Sequence, residues 1–228
     1  MAKGADTTVG GVTAAERLGT DRTDRAPIVQ QSRARTARHQ KAIVDAARRL
    51  ITANGGSFTT QELIGEAGIA LQTFYRHFAG KDQLLLAVIE DMIEEAAAAL
   101  AVQSAALSDP VARLRFSITS LLESVADGSV AAGTAQFVTS EHWRLHQLFP
   151  DEMARATQPI VDLFARDLQA ATDAGLLQSV DPQRDGWFTM RLVMSVFHHY
   201  AFVGSDEHAA TIADDLWSFC IAGFRVRG

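Results

Sequence analysis

Cysteine is almost missing from this 228-residue chain: Cys220 stands alone, which excludes an internal disulfide framework and suits a reducing compartment. No stretch approaches the roughly eighteen uninterrupted apolar residues of a membrane span, and the first residues lack a charged head followed by an apolar core. The expectation is a soluble, cytoplasmic protein without a membrane partner. Catalytic signatures are wanting as well. The chain has no Gly-x-Ser-x-Gly, no His-Glu-x-x-His, no Gly-rich phosphate loop and no Cys-x-x-Cys, and its C-terminal acidic residues read as solvated helix faces. Neither an enzyme nor a bound cofactor is expected.

What is present is apolar and unevenly charged. At 47% hydrophobic and 21% charged residues, the chain is long enough for a small module and one larger helical domain. Between Arg33 and Lys81 eight basic residues face three acidic ones, a net of +5, whereas residues 82–228 hold nine basic and twenty acidic ones, a net of −11. An acidic body repels a polyanion, so a nucleic acid should meet only the N-terminal module. The alternative is a merely solvated basic face.

The basic segment contains the most informative pattern. Thr59 with Glu62 three residues later forms a capping box, so a helix should start near Thr60. Leu63 and Ala67 face inward, and Gly68 supplies the left-handed stop. A second short helix follows from Ala70 to Phe78, with Leu71, Phe74 and Phe78 apolar and Gln72, Thr73, Arg76 and His77 left for other faces. Lys81 stands at the mouth of the next helix, where it is placed for an external phosphate. Two short helices about a tight Gly turn are a helix-turn-helix, whose second helix enters the major groove of double-stranded DNA.

The run Thr-x-x-x-Leu-Ile-x-x-Ala-Gly-Ile-x-x-x-Thr-Phe-Tyr-x-His-Phe-x-x-Lys-x-x-Leu resembles the N-terminal signature of the TetR family of bacterial transcriptional regulators, over about residues 38–88. That resemblance implies an all-α fold, with a three-helix DNA-binding module joined to a larger helical ligand-binding and dimerisation domain. It also implies a homodimer and, usually, repression relieved by a small molecule. Carried over by position, Thr60 would contact the DNA backbone, Leu71, Gln72 and Thr73 would face bases, and Tyr75, His77 and Lys81 would hold phosphates. Two positions depart from the pattern. Ala70 stands where a capping Ser is frequent, and Gln72 where Gly is common, so the second helix gives up roughly 1 kcal/mol of capping while Gln72 gains a possible base contact.

Residues 1–32 show no sustained period and are expected to be a disordered arm. Arg33, Arg35 and Arg38 end that arm, where flexible cations reach phosphates or a minor groove. Helix one is expected over 36–54, and the divisions are 1–32 for the arm, 33–81 for the DNA-binding domain and 82–228 for the effector-binding and dimerisation domain. In the last of these, helices are expected from Lys81 to about Ala106 as a transmission rod, from the Asp109-Pro110 start to about residue 127, over 131–148, and over 151–174 with a bend near Pro159. The segments 187–202 and 207–224 are too widely apolar for one stripe, so a partner subunit should cover them.

Phe116, Phe137, His142, Trp143, His146, Phe149 and Phe164 are the expected lining of a pocket for a small apolar effector. His142 and His146 share a helical face, but no third residue at a diagnostic spacing makes a metal site, so none is expected. They line the pocket or are ordinary histidines. The combined expectation is a sequence-specific repressor released from a palindromic operator by its effector. A helical nucleic-acid-binding or architectural protein without an effector pocket is the competing reading.

Overall fold

The computed structural model describes residues 14–55, 57–126, 130–203 and 209–225, with side chains described for 34–55, 57–125, 130–202 and 211–224. The described residues form helices only: α1 (Ala14–Asn54), α2 (Thr60–Ala67), α3 (Leu71–His77), α4 (Lys81–Ser104), α5 (Pro110–Ala126), α6 (Ala132–Leu148), α7 (Pro150–Asp173), α8 (Pro182–Val203) and α9 (Ala209–Arg225). Two compact units are distinguished, residues 1–42 and residues 43–228.

The first unit contributes the N-terminal part of α1. This helix ends at Asn54 as expected, but it begins at Ala14 rather than near Thr36. Residues 14–32, read as part of a disordered arm, are therefore helical, and residues 1–13 of that arm lie outside the described residues. Ala and Arg recur here, but Gly19, Pro27, two Thr and two Asp stand among them and no apolar stripe runs through, so neither propensity nor periodicity announces this helix.

Within the second unit, one apolar cluster joins Ile43, Ala47 and Ile51 of α1 to Leu63, Phe74 and Phe78 around the helix-turn-helix. Leu84, Leu85, Val88 and Ile89 of α4 belong to the same cluster, as do Phe137 and Leu145 of α6 and Met153 of α7. A second cluster gathers Leu114, Ile118 and Leu122 of α5, Ile160, Phe164 and Leu168 of α7, Met190 and Val193 of α8, and Ala213, Leu216 and Cys220 of α9. Helix α4 reaches both, contributing Ala97 to the second. It thus extends the helix-turn-helix core into the body by continuous packing.

Helix starts in the body follow the local chemistry. The Asp109 carboxylate accepts the Val111 N–H at 3.0 Å, with Pro110 at the first helical position. The same Asp-Pro device opens α8, where Asp181 accepts the Arg184 N–H at 3.1 Å and Pro182 follows, which sets the start five residues before the expected 187. Helix α7 runs unbroken through Pro159. Helix α8 lies so close to α7 that a Cβ on Gly186 would stand 3.1 Å from the Val161 carbonyl oxygen and the Ala165 nitrogen.

Among the described residues, Asp167 departs most clearly from the solvated reading. Asp167 on α7 is fully buried, receives the Arg113 Nε–H at 2.9 Å from α5, and is also bonded by Arg166. A buried carboxylate must be paired to stay charged, and this pair joins two helices of the second cluster.

Candidate nucleic-acid interface

The helix-turn-helix is built as its residues dictate. The Thr59 N–H donates to Glu62 Oε2 at 2.7 Å, and the Glu62 N–H returns to Thr59 Oγ1 at 3.2 Å, which completes the capping box. The Thr59 N–H and the Thr59 hydroxyl, both donating to Oε2, hold the Glu62 carboxyl below its ordinary range. Gly68 closes α2 in the left-handed region at φ 64°, and the Ile69 N–H returns to the Ile64 carbonyl at 3.1 Å. Helix α3 then starts at Ala70 without a side-chain cap. The Arg49 guanidinium meets Glu66 at 2.6 Å, tying α1 to α2, and Arg48 meets Asp91 at 2.7 Å and also Glu95, tying α1 to α4.

Phe74, 1% exposed, anchors α3 in the core and stacks with Phe78 at 6.0 Å. That orientation turns Leu71, Gln72, Tyr75 and Arg76 outward and leaves Thr73 and His77 half-buried. Tyr75 is 56% exposed and meets Phe74 edge-on at 5.1 Å. Thr60 is half-buried at the start of α2. In the first unit, Arg35 and Arg38 are exposed on α1, and Arg38 Nε donates to the Ala34 carbonyl at 3.3 Å.

Lys81 also has partners within the protein. Its Nζ donates to the Phe58 carbonyl at 2.6 Å and sits 4.3 Å from the centre of the Phe58 ring. The ammonium therefore fastens the start of α4 to the loop before α2 with one of its three donors. Arg76, left out of the expected contacts, is exposed on the last turn of α3, four residues and about one turn from Gln72. Its position on the outer face of the second helix was readable from the period of Phe74 and Phe78.

In the body the seven expected pocket residues do not converge. Phe137 and Phe164 are packed into the first and second apolar clusters, Phe149 packs against the first, and Trp143 is 59% exposed. Phe116 borders a groove of about 340 Å³ between α4 and α5, with Leu100, Gln103 and Leu121. His142, by contrast, is 3% exposed and has three aromatic neighbours: Trp143 at 5.7 Å, His146 at 6.2 Å and His198 of α8 at 5.0 Å. Burial, helped by the nearby His198, Arg191 and His146, pushes its imidazole down to about 4. His198 was missed as a site candidate. Its adjacency to His199 on an otherwise apolar helix was the available signal, since adjacent positions point apart and one of them had to turn inward.

The outer surfaces of α8 and α9 carry Trp187, Phe188, Leu192, Phe202 and Phe219, all exposed. Between them lies a groove of about 150 Å³ lined by Phe188, Leu192, Cys220 and Phe224. The Cys220 thiol is buried at its base, and burial pushes it up to about 11, which makes it unreactive. No helix among the described residues is long and apolar enough to cross a membrane.

A capped short helix, a glycine turn and a second helix with a polar outer face define a helix-turn-helix protein with an all-helical body. The family is specific: residues 43–88 match the model of the bacterial regulatory proteins of the tetR family, and this N-terminal module is a TetR-family module. No curated protein matches the chain. Among solved structures, a TetR-family transcriptional regulator from Pectobacterium atrosepticum shares 18% identity, with a TM-score of 0.70 over 86% of this chain and 98% of that one. FadR of Thermus thermophilus, described as a TetR-family transcriptional repressor in complex with lauroyl-CoA, shares 20% identity, with a TM-score of 0.64 over 83% and 96%. RolR in complex with resorcinol shares 22% identity, with a TM-score of 0.59 over 82% and 89%. These likenesses extend the shared fold over the body.

Proposed function

We propose that the chain is a dimeric, sequence-specific DNA-binding repressor that releases a palindromic operator when its body binds a small effector. The observation that carries this reading is the outer face of α3: Leu71, Gln72, Tyr75 and Arg76 are turned away from a core fixed by Phe74. A short helix held rigidly from behind and polar in front suits major-groove reading. In this reading Leu71, Gln72 and Thr73 face bases, while Thr60, Tyr75 and His77 hold the backbone, joined by Arg76. Arg35 and Arg38 add positive charge from α1, and Lys81 orients the start of α4 next to any phosphate it meets. Residues 33–81 are the DNA-reading part and 82–228 the effector and dimerisation part.

The exposed aromatic surface of α8 and α9 supports a homodimer, because one subunit leaves it uncovered and a two-fold partner would bury it. The solved structures with lauroyl-CoA and resorcinol bind ligands of different chemistry on this fold, which supports an effector role for the body without naming its ligand. Selection from a random duplex library tests the proposal. An inverted repeat with half-sites about 34 Å apart, or a multiple of that, is the expected product. Enrichment without two-fold symmetry, or none, would favour the architectural alternative.

A further inference from the structure

We propose that the groove between α8 and α9 takes the phenyl ring of Phe219 from a second copy of this chain, in both directions at once, so that an exchanged ring sets the register of the dimer. The inference rests on the dimer reading above and gives that interface its central contact.

The groove, about 150 Å³, runs between exposed Phe188 and Leu192 of α8 and Phe219 and Gly223 of α9, over a floor of buried Cys220 and Phe224. Two polar residues reach it, and both are answered inside the subunit. The Thr189 hydroxyl donates to the Asp185 carbonyl at 2.7 Å, and the Asp185 carboxylate accepts the Ser179 hydroxyl at 2.6 Å. What remains is an apolar hole that suits an apolar occupant and repays a polar one poorly. Gly223 keeps it open. It stands inside α9 with no left-handed φ, and a Cβ there would meet nothing within 4 Å among the described residues. Neither backbone conformation nor crowding within the subunit accounts for a residue that weakens a helix relative to alanine, whereas a side chain arriving from outside does.

Phe219 is the side chain placed to arrive. It is 67% exposed on α9, one turn before Gly223, so it projects from the face on which the hole opens. Trp187, on the neighbouring helix, is already engaged by Phe188 at 5.1 Å and by Arg191 at 5.2 Å. A two-fold axis lays this face on its own copy, so a projecting ring and a hole standing side by side meet their counterparts twice over. Both rings then leave water and both grooves are filled. The fitting partner is a second copy of this chain, because the face carries both halves of the contact.

Two single variants of the full chain test the exchange: Phe219→Ala removes the ring, and Gly223→Leu fills the hole. Each should dissociate at least about tenfold more readily than wild type in sedimentation, since one homodimer has two unfilled grooves and the other two clashes. Mixed together, they should pair with one another, because the intact ring then meets the open groove and the shortened side chain meets the filled one. Native mass spectrometry should show that heterodimer at least about tenfold above either homodimer. A statistical mixture, or single variants that associate as tightly as wild type, would overturn the proposal. A photoreactive phenylalanine analogue in place of Phe219 gives an independent reading that keeps the ring. It should crosslink between subunits to residues 185–192 or 220–224, and intersubunit crosslinks confined to other segments would equally overturn the exchange. A wild-type monomer sinks the dimer reading and the exchange with it, whereas a wild-type dimer whose variants mix statistically loses the exchange alone.

Discussion

Gln72 and Arg76 stand about one turn apart on α3 but should do different work. Gln72→Ala is expected to change preference among operators and cost about 1–3 kcal/mol at its favoured base pair. Arg76→Ala should weaken all duplexes alike and lower the salt dependence of binding by about one unit. Titrations of matched and mismatched duplexes at several salt concentrations separate the two, and equal losses on every duplex for both variants would refute the division. Lys81→Ala should act through structure, by releasing the Phe58 carbonyl, and so should lower the unfolding midpoint more than the salt slope. Deeper in the body, Arg113→Met leaves Asp167 buried with only its exposed neighbour Arg166, and should cost about 3 kcal/mol in urea unfolding. Adding Asp167→Leu should recover part of that loss. His142 carries a pH dependence of its own. Its folded pKa lies below the unfolded value, so the stability from burying it neutral is complete above about pH 6.5 and is lost as pH falls toward about 4. In His142→Phe the acid limb of a stability–pH curve should be shallower over that range, and an unchanged limb would contradict the burial argument.

Several helix boundaries defined by a local hydrogen bond were legible in the sequence, although the Asp181-Pro182 start of α8 was not read from it. Thr59 and Glu62, Gly68, and Asp109 with Pro110 announce their ends because the cap and the residues it serves are neighbours in sequence. The start of α1 was not legible, since periodicity reports burial and residues 14–32 carry no apolar stripe. Nor was the pocket set. Phe137, Phe149 and Phe164 are equally apolar in any role, and only packing across helices decides that Phe137 and Phe164 fill cores while His142 meets His198. Lys81 shows the same limit, because its partner Phe58 is twenty-three positions away. Two glycines test the element-level account. Gly68→Ala forces a side chain into the left-handed region and should destabilise by about 1–2 kcal/mol. Gly186→Val should separate α7 from α8 and cost more, because the atoms it meets are backbone. Equal, negligible shifts in melting temperature would show that neither position is constrained.

The whole molecule joins a basic N-terminal module to an acidic body through α4, whose buried residues enter both apolar clusters. Any ligand that favours one arrangement of the body must then change DNA affinity by the factor by which DNA changes ligand affinity. The α8 and α9 surface makes the oligomer testable: Phe188→Glu with Phe219→Glu should give a monomer in sedimentation and lose operator binding while keeping its helical circular dichroism. A stable dimer in that double variant would move the interface elsewhere. The central claim, sequence-specific reading by α3, is met most directly by comparing the affinity of the wild-type chain for a selected inverted repeat with that for a scrambled duplex of the same composition at physiological salt. A preference of at least about a thousandfold is expected, falling to near unity when Leu71, Gln72 and Thr73 are all replaced by Ala. Equal affinity of the wild-type chain for the two duplexes would contradict it.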